Sequence, residues 1–137
     1  MKAFLDTNVL LDILVIRDDE RLREDAATLL QLGKDGFMEL YMSALSIPTI
    51  AYILKGHTNL QKRRIVKGLL SIIRVLPSTG EHVSGMIDSP IEDIEYAMQF
   101  QSALEGNCDL IVSRDRDLRS GSLPVFTPEE LLTRIFS

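Results

Sequence analysis

Carboxylates stand at three separated places where an apolar run ends or a helix begins. Asp6 closes the run Ala3-Phe4-Leu5 and is followed by Thr7-Asn8 and a new apolar pattern. Glu92, Asp93 and Glu95 crowd the head of a long late helical pattern. Asp115 and Asp117 follow the apolar stretch LIV within SRDRDL. Carboxylates brought together repel, raise one another's pKa, and coexist chiefly around a divalent cation. Mg2+ held by a few acids, with waters completing its shell, can activate a water and stabilise phosphoryl oxygens. Each acid also has a plainer use. Asp6-Thr7-Asn8 are good helix caps, Glu92 and Asp93 complement a helix dipole, and SRDRDL can be a polar turn.

The elements around these acids decide between the two uses. The spacing predicts strands at ELYMSAL, which switches to helix near Ser46, and at IIRVLP, DLIVS and PVF, besides the one ending at Asp6. Helical patterns lie between them: Val9 to Ile16; a stripe of Ala26, Leu29, Leu30 and Leu32 ended by Gly33 and Gly36; and a segment from Ser46 to about Lys55. Ser46 reads as an N-cap with Pro48 in the first turn, and Thr58 as the cap of the basic helix. Capping boxes are expected at Ser78-x-x-Glu81, at Ser89-Pro90-x-Glu92 and at Thr127-Pro128-Glu129-Glu130. Strands alternating with helices predict a single α/β domain over residues 1–137, three-layered α/β/α, with a mostly parallel sheet. In such sheets the reactive crevice lies beyond the carboxyl ends of the strands, which is where Asp6 and Asp115 fall.

Composition narrows the function classes. The chain has 137 residues, 45% hydrophobic and 26% charged, with a net charge of −5. That suits a globular domain and excludes a disordered segment. No apolar stretch is long enough to span a membrane, and an acid interrupts the N-terminal apolar run, which argues against a secretory signal. A lone Cys108 reads as a small buried hydrophobe in a reducing, cytoplasmic setting, and two His with one Cys make a zinc centre improbable. The charge is split. Six basic residues and no acid lie between Lys55 and Arg74; seven acids and no Lys or Arg lie between Val75 and Asp109. One surface therefore suits a polyanion and another suits cations. Lys62, Arg63, Arg64 and Lys67 on the basic helix, and Arg114, Arg116 and Arg119 around Asp115, are the candidate phosphate contacts.

Three stretches, FLDTNVLLDIL, MSALSIPTIAYIL and IEDIEYAMQFQSALEGNCDLIVSRDRDL, resemble the PIN-domain family, which includes VapC-type toxins of toxin–antitoxin pairs. The resemblance covers nearly the whole chain, and its most specific parts are D-T-N-x-L and the closing strand-Ser/Thr-Arg-Asp-x-Asp. It implies a parallel sheet between helices, an acidic Mg2+ or Mn2+ site, metal-dependent RNA cleavage, a small antitoxin partner and a homodimer. Carried over by position, the first acid is Asp6 and the fourth is Asp115, with Asp117 beside it and Ser113 in place of a usual Thr. The second acid falls on Thr49. The third falls on Tyr96, with Glu95 just before it and Asp93 three residues before.

The resulting expectation is an endoribonuclease in which Asp6, Asp115 and Glu95 act in catalysis and Asp6, Asp115 and Asp117 hold the metal. Thr7, Asn8, Ser113, Asp93 and Thr49 would support them, and Arg114, Arg116, Lys62, Arg63 and Arg64 would contact RNA. With Ile91, Ile94, Ala97 and Met98 as the core stripe, Glu95 flanks it, and Tyr96, Phe100 and Ala103 form a second patch. Asp12, six residues after Asp6 and so well around the helix and down its axis, reads as structural. Two rivals are a degenerate PIN domain that binds RNA or protein without cutting, and an aspartyl-phosphate enzyme built on D-T-N. The absence of Lys beyond Val75 weighs against the second rival.

Overall fold

Apolar residues alternate along each strand of this chain so that odd and even positions feed different layers. In the computed structural model, which describes residues 1–15, 19–115 and 122–137, five strands form one parallel sheet in the order β3-β2-β1-β4-β5. The strands are β1 (Lys2–Leu5), β2 (Glu39–Ser43), β3 (Ile73–Leu76), β4 (Leu110–Val112) and β5 (Val125–Phe126). Ala3, Leu5, Leu40, Met42, Leu110 and Val112 enter the core layer on one face. Phe4, Tyr41 and Ile111, the intervening residues, enter the layer on the other. A sheet buried on both sides in this way needs helices on both sides. Those on the first face are α1 (Thr7–Leu14), α2 (Glu20–Lys34), α3 (Ser46–Ile53), α4 (Asn59–Leu70) and α7 (Pro128–Phe136); α5 (Gly80–Met86) and α6 (Ile94–Glu105) cover the second.

The expected α/β/α architecture with a parallel sheet is present, and several expected boundaries move. The helix after β1 begins at Thr7 rather than Val9. Gly33 does not end α2 but lies inside it, where a Cβ would come 2.5 Å from Leu40 Cδ1. The turn is made by Gly36, at φ +81°. Ser46 is the first helical residue of α3 rather than its cap. The capping box expected at Ser78 is formed one residue later, by Thr79 and His82. The one expected at Ser89 does not form: α6 starts at Ile94, with Asp93 as N-cap accepting from the Tyr96 N–H at 3.0 Å. The box expected at Thr127 is formed with Glu130 as reciprocal partner, and the cap expected at Thr58 is a full box completed by Gln61.

His82 shows why the register shifted. Its Nδ1 accepts the Thr79 N–H at 3.2 Å, and its Nε2 bonds the Glu105 carboxylate on α6. Histidine thus does the work that a Glu at Ser78+3 would have done, while tying α5 to α6. His82→Ala removes a cap and vacates a buried position, and should cost about 2 kcal/mol in urea unfolding. A cost near that of a surface substitution would mean the imidazole is not needed at this junction. Cys108 is buried as expected, and burial pushes its thiol up to about 11, which leaves it unreactive. No helix among the described residues is long and apolar enough to cross a membrane.

Candidate active site

Strand order reverses between β1 and β4: the chain moves from β1 outward to β2 and β3, then returns to β4 on the other side. Ligands of open parallel sheets bind at the carboxyl ends of strands at such a switch point. Leu5 is in register with Val112, and the Asp6 N–H continues the ladder to the Val112 carbonyl at 3.0 Å. By the same alternation, Asp6 and Ser113 follow Phe4 and Ile111 to the face covered by α6. Their side chains meet: the Ser113 hydroxyl donates to Asp6 Oδ2 at 2.6 Å. Ser113 Oγ also accepts the Asp115 N–H at 2.9 Å, folding the chain back so that Asp115 stands beside the pair.

The plainer reading of Asp6 is thereby set aside. It occupies the N-cap position of α1 in extended conformation, yet its side chain makes no capping bond. It is 1% exposed, and Oδ1 has no hydrogen-bond partner among the described residues. Burial raises its carboxyl from 3.8 to about 6; the Ser113 hydroxyl and the Thr7 amide pull the other way, while the charges of Glu95 and Asp115 raise it further. Glu95 and Asp115 therefore both face Asp6 closely enough to act on it electrostatically. Glu95 is exposed, its Oε1 accepting from Gln99 Nε2 at 3.4 Å.

The substituted third acid position is not idle. Tyr96 is half-buried, its ring packed against the Phe4–Phe100–Ile111 layer and its hydroxyl bonded to the Asp115 carboxylate. Burial, then the charges of Asp6 and Asp115, hold its phenol at about 12, so it is a neutral donor among acids. This corrects the core stripe read from the sequence. Ile91 and Ala97 are buried as expected, as are Phe100 and Ala103 of the second patch, but Ile94 is 60% exposed, Met98 is half-buried, and α6 also buries Gln99 and Ser102. The turn that carries Asp115 has a second anchor. Arg114 Nε and Nη2 each donate to Asp12 at 2.9 Å, and Asp12 is fully buried on α1. Asp12 is structural, as expected, and Arg114 supplies its ion pair.

The other candidates are distributed as follows. Thr7 is buried, its hydroxyl 2.7 Å from that of Ser46. Asn8 is half-buried with Oδ1 unpartnered. Asp93 caps α6, and its charge is felt by Tyr96. Thr49 is half-buried on α3, where the hydroxyl that reaches α1 is that of Ser46, one turn earlier. Arg63, Arg64 and Lys67 are exposed and Lys62 half-buried on α4; Lys62, Arg63 and Lys67 line a groove of about 440 Å³ with Ile47, Ala51 and Val66. Arg116, Asp117 and Arg119 lie outside the described residues. Ser46, Tyr96 as a donor, and the Asp12–Arg114 pair were not foreseen from the sequence. Only Tyr96 carried a signal there, by standing where an acid was expected.

A divalent cation can be tested against these donors. Among the described residues no three His, Cys, Asp or Glu are placed to hold one by themselves. Mg2+ does not need that: it keeps most of its waters and takes one or two carboxylates. A buried carboxylate with one oxygen unpartnered, facing a second carboxylate, is a donor set of that kind, so Asp6 and Asp115 fit the ion.

Fold and site together define an α/β/α domain with an acidic centre at the switch point of a parallel sheet. The chain belongs to the PIN domain family, whose model matches residues 2–117. It is similar to Ribonuclease VapC1 of Aquifex aeolicus (strain VF5), 28% identical over 142 residues that cover 97% of this chain and 94% of that protein. Its fold is shared with FitAB in a structure bound to an IR36 DNA fragment, at TM-score 0.68 and 18% identity over 92% of this chain and 94% of the other. VapBC2 of Rickettsia felis, bound to a DNA fragment from its promoter, matches at TM-score 0.67 and 12% identity, covering 93% and 98%.

Proposed function

We propose that this chain is a PIN-type endoribonuclease working with Mg2+ or Mn2+, the toxin of a toxin–antitoxin pair with a small protein antitoxin. The observation that carries the reading is Asp6: a buried carboxylate with an unpartnered oxygen, facing Asp115 and Glu95 at the sheet's switch point. The similarity to a VapC ribonuclease along almost the full length supports it. Asp6 and Asp115 would hold the ion, with Glu95 assisting and Asp117 the further candidate ligand. When bound, the ion supplies charge stabilisation for phosphoryl oxygens and activation of a water.

The chain's own residues do the rest. The Ser113 hydroxyl orients Asp6, so that Oδ2 is spoken for and Oδ1 is left to the ion. The Ser113 oxygen and the Asp12–Arg114 pair fix the turn bearing Asp115. Thr7 and Ser46 lock the start of α1 to α3 beside Asp6. Lys62, Arg63 and Arg64 present positive charge on α4, and Arg116 stands next to Asp115 in the chain. Lys62 and Arg63 also line the groove of α3 and α4, which offers positive charge to an RNA strand. A homodimer in the cytoplasm completes the reading.

Purified protein should cleave single-stranded RNA in Mg2+ or Mn2+, stop on chelation, and lose at least ~100-fold of its rate on Asp115→Asn. Equal cleavage by the variant would identify a contaminant and reject the assignment. One observation favours the non-cleaving alternative: a phenol occupies the third acid position. An inactive wild type made active by Thr49→Glu with Tyr96→Asp would establish that alternative.

A further inference from the structure

Tyr96 is the residue of the acidic centre for which the charge pattern alone has no use. Its position is closely determined: Asp93 Oδ1 caps its backbone N–H in the first turn of α6, and its ring is packed on the Phe4–Phe100–Ile111 layer. That leaves the hydroxyl in reach of Asp115, to which it is bonded, with the charges of Asp6 and Asp93 also acting on it. Asp115 is thus held at both ends, its N–H by the Ser113 oxygen and its carboxylate by the phenol, while Ser113 in turn holds Asp6.

We infer that Tyr96 is a positioning residue for the cation: its hydroxyl, donating to the Asp115 carboxylate, holds that side chain toward Asp6 in the geometry the ion requires. This rests on the reading of the site as a divalent-cation centre. An acid at position 96 would add a ligand and also a repulsion. The phenol adds neither; it replaces a third charge by a donor that lets the acids stand together before the ion arrives. The site thereby has lower charge and greater preorganisation, with the remaining coordination left to water.

The experiment is Mn2+ binding followed by loss of the free-ion EPR signal, on wild type, Tyr96→Phe and Asp6→Asn, with thermal midpoints measured without metal. Tyr96→Phe keeps the ring and its packing and should fold with a midpoint within a few degrees of wild type. Its Mn2+ affinity should fall roughly ten-fold, and Asp6→Asn should bind no ion at the site. A purely structural tyrosine would shift the midpoint and leave the affinity alone, so an unchanged or tightened Kd in Tyr96→Phe overturns the inference while the cation reading stands. Wild type that binds no Mn2+, or binds it equally well as Asp6→Asn, overturns both.

Discussion

Asp6→Asn is expected to produce a protein that is more stable than wild type at pH 7 and at least ~100-fold less active. The stability gain follows from burial. A carboxyl moved from 3.8 in the unfolded chain to about 6 in the native state costs the ionised native protein about 3 kcal/mol at pH 7. Between those two values the native state holds a proton that the unfolded chain has released. Stability therefore falls as pH rises from about 4 to 6 and is level above. Asparagine has the same shape and still accepts the Ser113 hydroxyl, but its amide N–H2 replaces an oxygen that had no partner, at a cost of about 1–2 kcal/mol. The net gain should be about 1–2 kcal/mol at pH 7.5, a few degrees in thermal midpoint, and should vanish or reverse near pH 4. Saturating Mg2+ or Mn2+ should raise the midpoint of wild type and leave that of Asp6→Asn unmoved. Urea unfolding at the two pH values checks this. A variant with the same relative stability at both would show that Asp6 is not a strained carboxylate.

The second large effect is expected at Asp12, which is not one of the family's acids but is tied to the turn that carries Asp115. Asp12 is fully buried, and it receives two parallel bonds from an Arg114 side chain that is 31% exposed. Breaking a buried ion pair costs about 3–5 kcal/mol when the remaining charge is trapped; Arg114 can turn partly to water, which puts Asp12→Asn nearer 2–3 kcal/mol. Arg114 lies between Ser113 and Asp115, so the same change should loosen the turn and weaken ion binding. Arg114→Lys should behave like a loss, since an ammonium cannot reproduce the two-pronged bond. A double-mutant cycle with Arg114→Gln isolates the pair, and a coupling energy below about 0.5 kcal/mol would mean that the bonds contribute nothing beyond packing.

Much of this molecule is legible along the chain because its determinants are local. Short apolar runs marked the strands, and the cap at Thr58 and the box Thr127–Glu130 announced helix starts through bonds spanning three residues. Asp6 and Asp115 could be placed at strand ends, and the family resemblance agreed with both. The misplaced elements are those where a competing partner lay far off. The start of α6 is an exception, decided locally by Asp93, not Ser89, capping the Tyr96 N–H, whereas the use of Tyr96 itself depended on Asp115, 19 residues on. The shift of the α5 cap to His82 depended on Glu105, 23 residues away.

What the sequence by itself determined is the class of chemistry: acids at the ends of parallel strands, with a basic helix elsewhere. What only the tertiary structure decided is what each acid is for. Asp6 and Asp12 are both buried, six residues apart and of one type, yet Asp12 is neutralised by Arg114 while Asp6 keeps an unpartnered oxygen opposite Asp115. The cost of burying a charge depends on the groups that surround it in space, and those arrive from β4 and α6, more than 80 residues along the chain.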